Sequence, residues 1–309
     1  MSMPRLSVNL CCYNSLPYLR ETLESVFSQT YSDYELVIVN DGSQDGTESV
    51  IREYMAAGRP IRYHAQANAG LGAARNKALE LSSGEFIAII DHDDVWERDK
   101  AERQMALFDR PEVGFVGSDA LCIDHQGKPL HRFSEVNVLR RGRVLRDLFL
   151  YDFVPCASAV MRRSAIAAAG GFFRPDFRIA EEYELFLRLA EVSEFDFVAD
   201  PLVRIRVHRR NSGWDTGRER FEMLQTYAGC LERRPGLAAE LGERVVRVKL
   251  AGFWLRPDEA DALNGLGGTW RTRARAFLRY GLSLLGPAAI SRLLRLKRFF
   301  AWLRAYLRG

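Results

Sequence analysis

Over the first 118 residues of this 309-residue chain, five short apolar runs alternate with four helical patterns. No other feature restricts the fold as much. The apolar runs predict strands at 6–12, 35–40, 61–64, 86–90 and 113–118. Helical spacing between them predicts helices at 18–29, 45–57, 70–82 and 99–109. This order implies an α/β architecture, a mainly parallel sheet flanked by helices, with ligands bound beyond the carboxyl ends of the strands.

Four polar segments fall at such ends: 6–14 running into a turn, 37–47 (VIVNDGSQDGT), 68–76 (NAGLGAARN) and 89–96 (IIDHDDVW). The run 86–90 reads as a fully buried strand and empties into Asp91, His92, Asp93 and Asp94. Carboxylates crowded there repel one another unless a cation sits among them, and hard oxygen ligands select Mg²⁺ or Mn²⁺ over zinc. Turn chemistry alone also places acids at strand ends, and Asp94 could cap a helical segment beginning near Val95. Asp41, followed by Gly42 and Ser43, can accept hydrogen bonds from a nucleobase imide or a ribose hydroxyl; in a plain turn Asp45 would cap the next helix. Arg75 can stack on a base or fork onto phosphate oxygens, or simply be an exposed helical arginine. Its segment is neither a Walker A nor a dinucleotide fingerprint. Glu181 and Glu182 open a helical pattern carried by Tyr183, Phe186, Leu187 and Ala190. The helix dipole favours acids there, and one of them can equally act as a general base.

Together these segments resemble the inverting family 2 glycosyltransferases, enzymes of GT-A fold, over residues 5–212. The likeness continues at 154–173, an acceptor-side strand and Gly-Gly-Phe turn, at 181–188 (EEYELFLR) and at 206–212 (RVHRRNS). The resemblance implies transfer of a sugar from a nucleoside diphosphate sugar, foremost a UDP-sugar, with Mn²⁺ or Mg²⁺ as cofactor. It implies a glycan or lipid-linked acceptor, in bacterial surface polysaccharide synthesis. It places Asp41, Arg75, Asp91, Tyr13 and Asn14 on the donor. Asp93 becomes the direct metal ligand, Asp91 a ribose or water-mediated metal contact, and His208 a further metal contact in a loop ordered by Arg206 and Asn211. Glu182 aligns with the family's usual base, an Asp, and Glu181 is the second candidate. Asn40 stands where many relatives carry Asp. A non-catalytic sugar-nucleotide-binding or assembly protein of the same fold is the alternative from another class. A sugar-phosphate nucleotidylyltransferase would need a Gly-rich, Arg-containing N-terminal loop, which 6–16 lacks.

At 47% hydrophobic residues the chain can bury a large core. The divisions expected are a catalytic domain over 1–212, with a donor half to 118 and an acceptor half from 119, and a helical region over 213–309. The net charge of +4 is uneven, because residues 269–309 hold nine Arg and one Lys without an acid. That leaves about six net negative charges on 1–268, which argues against a nucleic-acid partner. Trp270, Phe277, Phe299, Phe300 and Trp302 mixed among those arginines suggest amphipathic helices lying on an anionic membrane. Five cysteines without metal-ligand spacing, no leader pattern and no long apolar span place the chain in the cytoplasm, peripheral at the inner face of the membrane.

Overall fold

The computed structural model describes residues 4–208, 216–243, 245–246 and 249–250, divided between two compact units, Met1–Trp214 and Asp215–Gly309. The first unit opens with β1 (Leu6–Cys12), α1 (Leu19–Phe27), β2 (Tyr34–Asp41), α2 (Thr47–Ala56), β3 (Ile61–Gln66), α3 (Leu71–Leu81) and β4 (Phe86–Asp91). Strands β3, β2, β1 and β4 lie side by side in that order and all run parallel. Four carboxyl ends therefore open along one edge. Successive strand residues face opposite sides, and both sides are covered. Val8, Leu10, Leu36 and Ile38 pack with Leu19, Leu23 and Val26 of α1 and with Val50 and Ile51 of α2. Cys11, Val37 and Val39 pack instead on Ala74 and Ala78 of α3. Double coverage explains why β1 is buried at every position and reads as one apolar run.

Beyond β4 come β5 (Val95–Trp96), α4 (Lys100–Met105), β6 (Val113–Ile123), β7 (Pro129–Arg132), α5 (Leu145–Leu150), β8 (Val160–Arg162), α6 (Arg163–Ala168), α7 (Glu181–Val192) and β9 (Glu194–Arg206). The sheet continues from β4 through β8, β6 and β9 to β5. Strand β8 is antiparallel to both neighbours, β6 and β9 are parallel, and β7 folds back on β6. The strand expected at 113–118 runs on to Ile123. Buried Asp119 hides this extension by interrupting the apolar pattern, and its carboxylate accepts bonds from Ala120 N, Ser134 N and Ser134 Oγ. The helix expected at 99–109 is α-helical only to Met105 and tightens into a 3₁₀ turn at Ala106–Asp109. Val95 begins a strand paired with β9, so Asp94 is not the helix cap that its position allowed.

The second unit contains α8 (Thr216–Arg233) and α9 (Leu237–Leu241). The basic stretch 269–309, with its expected membrane helices, lies outside the described residues, as does Asn211. Among the described residues no helix is long and apolar enough to cross a membrane. All five cysteines are free.

Candidate active site

The start of α3 is the piece that assembles the site. Gly70 adopts φ +93°, and a Cβ on Gly72 would stand 2.4 Å from the carbonyl oxygen of Arg174, so only glycine lets the helix begin this close to the 174–177 backbone. Asn76 fastens the same contact: its amide donates to Phe173 O at 3.0 Å and its carbonyl accepts from Phe173 N at 2.8 Å. Arg75 is thereby carried to the ends of β4 and α7, where it is almost fully buried. Its Nη1 donates to Glu181 Oε1 at 2.6 Å and to Glu182 Oε2 at 3.2 Å; its Nη2 donates to Asp91 Oδ1 at 2.9 Å and to Cys156 Sγ at 3.2 Å. Sequence reasoning gave Arg75 to the donor's base or phosphates. The structure instead engages both its amino groups with carboxylates from two different motifs.

Three acids around one guanidinium leave a local excess of negative charge. Burial, reinforced by the charge of Glu181, raises the Glu182 carboxyl well above the usual range. Burial also raises Glu181, with Arg75 opposing the shift. The Cys156 thiol is pushed up by burial too, so it stands as a neutral acceptor. Exposure separates the two glutamates. The side chain of Glu181 is fully buried and its Oε2 has no hydrogen-bond partner, whereas that of Glu182 is 21% exposed. An arriving hydroxyl can reach Glu182 and not Glu181.

Each strand-end acid has a protein partner of its own. Asp91 meets Arg75. Asp94, buried, accepts from Arg206 N at 2.9 Å. Asp93 Oδ2 lies 2.8 Å from His208 Nε2. The His208 ring stacks on Tyr18 with centroids 5.1 Å apart, and Arg206 lies over the same tyrosine at 4.6 Å while bonding to Glu21 and to Asp93 O. Asp93 and His208 offer an oxygen and a nitrogen ligand together. The carboxylate suits Mg²⁺ or Mn²⁺, and the imidazole tips the pair toward Mn²⁺. Among the described residues no three His, Cys, Asp or Glu side chains gather into a ready ligand shell. A cation held by this pair would take its other ligands from substrate and water. Asp91, expected at the ribose or in a water-mediated metal contact, accepts from Arg75 on Oδ1, and His92 contributes its carbonyl to Thr22 Oγ1 as a spacer.

At the end of β2, Asp41 accepts from Gln66 Nε2 and Ala69 N on Oδ1, both at 2.8 Å, and from Gly70 N on Oδ2 at 2.9 Å. Asn14, at φ +51°, ties two loops together by donating its N–H to Ser43 Oγ and accepting from Gln44 N on Oδ1. The Tyr13 side chain beside it is half exposed. Asn40 is structural: it accepts from Ser43 N and donates to Tyr63 Oη. Asp45 accepts from Thr47 N at the start of α2. One pair went unrecognised in the sequence. Arg188 bonds to Glu184 and to the carbonyls of Ala169, Gly171 and Phe172, and so holds the Gly-Gly-Phe turn against α7. The i,i+4 spacing of Glu184 and Arg188 was the available signal.

Residues 7–169 match the family described as Glycosyl transferase family 2. The chain is 34% identical over 131 residues to TuaG of Bacillus subtilis, named for teichuronic acid biosynthesis, a match covering 42% of this chain and 52% of TuaG. It is 27% identical over 210 residues to a glycosyltransferase of Rickettsia typhi, covering 66% of this chain and 64% of that one. The chain thus spans about half to two thirds of the length of these relatives. Among solved structures, S. aureus TarS 1–349 in complex with UDP-GlcNAc matches with a TM-score of 0.64 at 18% identity, over 98% of this chain and 88% of that one. The mannosyltransferase PcManGT from Pyrobaculum calidifontis, in complex with GDP-Man and Mn²⁺, matches with a TM-score of 0.62 at 22% identity, over 99% and 86%. At these identities the likeness is one of fold, the GT-A fold.

Proposed function

The chain belongs to glycosyltransferase family 2, and on that premise we propose that it transfers a sugar from a nucleoside diphosphate sugar to an acceptor hydroxyl with inversion at the anomeric carbon. One observation carries this reading: a single buried guanidinium joins Asp91, at the end of a parallel strand, to Glu182 at the start of α7. That contact supports a reading in which donor-side and acceptor-side motifs share one site.

Tyr13, Asn14 and Asp41 bracket the nucleoside at the ends of β1 and β2, and Asp91 stands where the ribose follows. Asp93 and His208 would hold Mn²⁺ or Mg²⁺, which when bound offsets charge on the diphosphate leaving group. Glu182 takes the proton from the acceptor hydroxyl. The oxygen of that hydroxyl forms the new bond to the anomeric carbon, and the bond to the phosphate oxygen breaks on the opposite face, its electron pair leaving with the nucleoside diphosphate. Glu182 is one methylene longer than the family's usual aspartate, and the 3.2 Å contact with Arg75 restrains that extra reach. Glu181 acts as the buried anchor of Arg75 and does not touch the acceptor.

The acceptor in this reading is a glycan or a lipid-linked glycan of a bacterial surface polysaccharide, in keeping with the name of TuaG. The basic, aromatic stretch 269–309 supports peripheral contact with an anionic membrane at its cytoplasmic face. The deciding experiment follows nucleoside diphosphate release from a panel of nucleotide sugars with Mn²⁺. Wild-type protein should turn over one of them. Glu182→Gln should bind that donor equally but react about 10²-fold more slowly, the low end for a positioned base, and Glu181→Gln should be milder. Undiminished release by Glu182→Gln would remove it as the base, and donor binding without release in the wild type would favour the non-catalytic alternative.

A further inference from the structure

In the donor reading given above Asp41 meets the base, and its hydrogen bonding is already three-quarters used. An ionised carboxylate offers about four acceptor positions. Gln66 Nε2 and Ala69 N occupy both positions on Oδ1, and Gly70 N occupies one on Oδ2. A single position on Oδ2 is left. Strand register sets Gln66 directly beside Asp41 across β2 and β3. On the other side, Cys12 is paired with Asn40 across β1 and β2, so Tyr13, half exposed, continues the same row with a ring on which a base can stack.

We propose that Gln66 sets the base selectivity of the donor site: it fills the position on Asp41 that a guanine would need and leaves the one that a uracil imide requires. This rests on the donor reading given above. The recognition edge of guanine presents two adjacent donors, N1–H and the exocyclic N2–H, which a carboxylate meets with both oxygens. Here the second would point at Oδ1, where the Gln66 amide already donates, so one N–H faces another. Uracil presents a single N3–H flanked by carbonyl oxygens. Its N3–H fills the open position on Oδ2. The second N–H of the Gln66 amide, not engaged by Asp41, would then meet a carbonyl instead of a donor. The arrangement is complementary for the imide and mismatched for guanine.

The test is calorimetric titration of the full chain with UDP and with GDP in the presence of Mn²⁺, for wild type and Gln66→Ala. Gln66 ends the outermost strand of the parallel half of the sheet, and a melting curve checks that the variant is folded. Wild type should prefer UDP by at least about fivefold, the low end of what an unpaired donor costs in a binding site. In Gln66→Ala, UDP should weaken, GDP should gain, and the preference should shrink to about threefold or less. Equal or tighter GDP binding by the wild type overturns the selectivity while leaving the nucleotide-donor reading intact. An unchanged preference in Gln66→Ala overturns the assignment to Gln66. Binding of neither nucleotide overturns the donor reading and this inference with it.

Discussion

Replacing Arg75 by methionine keeps the length and apolar stem of the side chain and deletes the charge that holds three acids together. The three do not suffer equally. Asp91 and Glu182 have side chains 34% and 21% exposed, so water can take over part of the arginine's role. Glu181 is fully buried, already has one oxygen without a hydrogen bond, and bonds to Arg75 at 2.6 Å. Removing one partner of a buried pair costs about 3–5 kcal/mol. Proton uptake limits the loss: neutralising a carboxyl of ordinary pKa at pH 7 costs about 3.4 kcal/mol, and at pH 5 only about 0.7 kcal/mol. Arg75→Met should therefore lose about 3 kcal/mol at pH 7, a melting temperature lower by roughly 6–12 °C for a domain of this size. Most of the loss should disappear near pH 5. Adding Glu181→Gln should restore much of the stability at pH 7, because no charge is then stranded, and the double-mutant cycle should give a coupling of about 2 kcal/mol or more. Thermal melts of the four proteins at the two pH values measure this. Additive effects, or a loss equal at pH 5 and pH 7, would refute the view that Arg75 and Glu181 form the buried anchor.

The raised Glu182 carboxyl has a signed consequence for stability. The folded state holds a proton above the pH at which the unfolded chain releases it, so the group's stabilising contribution is full below its ordinary value of 4.5 and is lost as pH rises through the raised one. Melts from pH 4.5 upward should thus show Glu182→Gln gaining on the wild type as pH increases, while wild-type turnover rises over the same interval as the base ionises; a constant difference in melting temperature would contradict this. For the basic stretch, each residue near an anionic surface contributes about 1 kcal/mol. Full-length protein should co-sediment with anionic vesicles in a salt-sensitive way and a chain ending at Leu266 should not, and equal partitioning of the two would rule out the membrane role.

The parallel half of the sheet was legible because its strands are covered on both faces, which leaves uninterrupted apolar runs such as 86–90 bounded by glycine and acids. The second half was not. Strand β6 carries a buried aspartate at 119 whose partner, Ser134, lies on a later turn, and local periodicity cannot anticipate a polar residue satisfied from a distance. The site divides in the same way. Asp41, Asp91, Asp93 and Glu182 stood out as acids at strand and helix ends. The use of Arg75 did not, because its partners lie up to 107 residues away and only the close approach at Gly72 brings them together. Crowding of Asp91, Asp93 and Asp94 marked them as acids in need of partners, yet the sequence could not say that the Arg75 guanidinium, the His208 ring and the Arg206 backbone N–H lie against them.

In the proposed function the strand-end acids and the His208 loop form a cation-dependent nucleotide site. Calorimetric titration of UDP into wild type and Asp93→Ala, with and without Mn²⁺, decides whether it does. Mn²⁺ should strengthen binding to the wild type by at least about tenfold, a coupling of about 1.4 kcal/mol, and Asp93→Ala, still folded, should retain only the weak metal-independent binding. Equal Mn²⁺ enhancement in both proteins would contradict it.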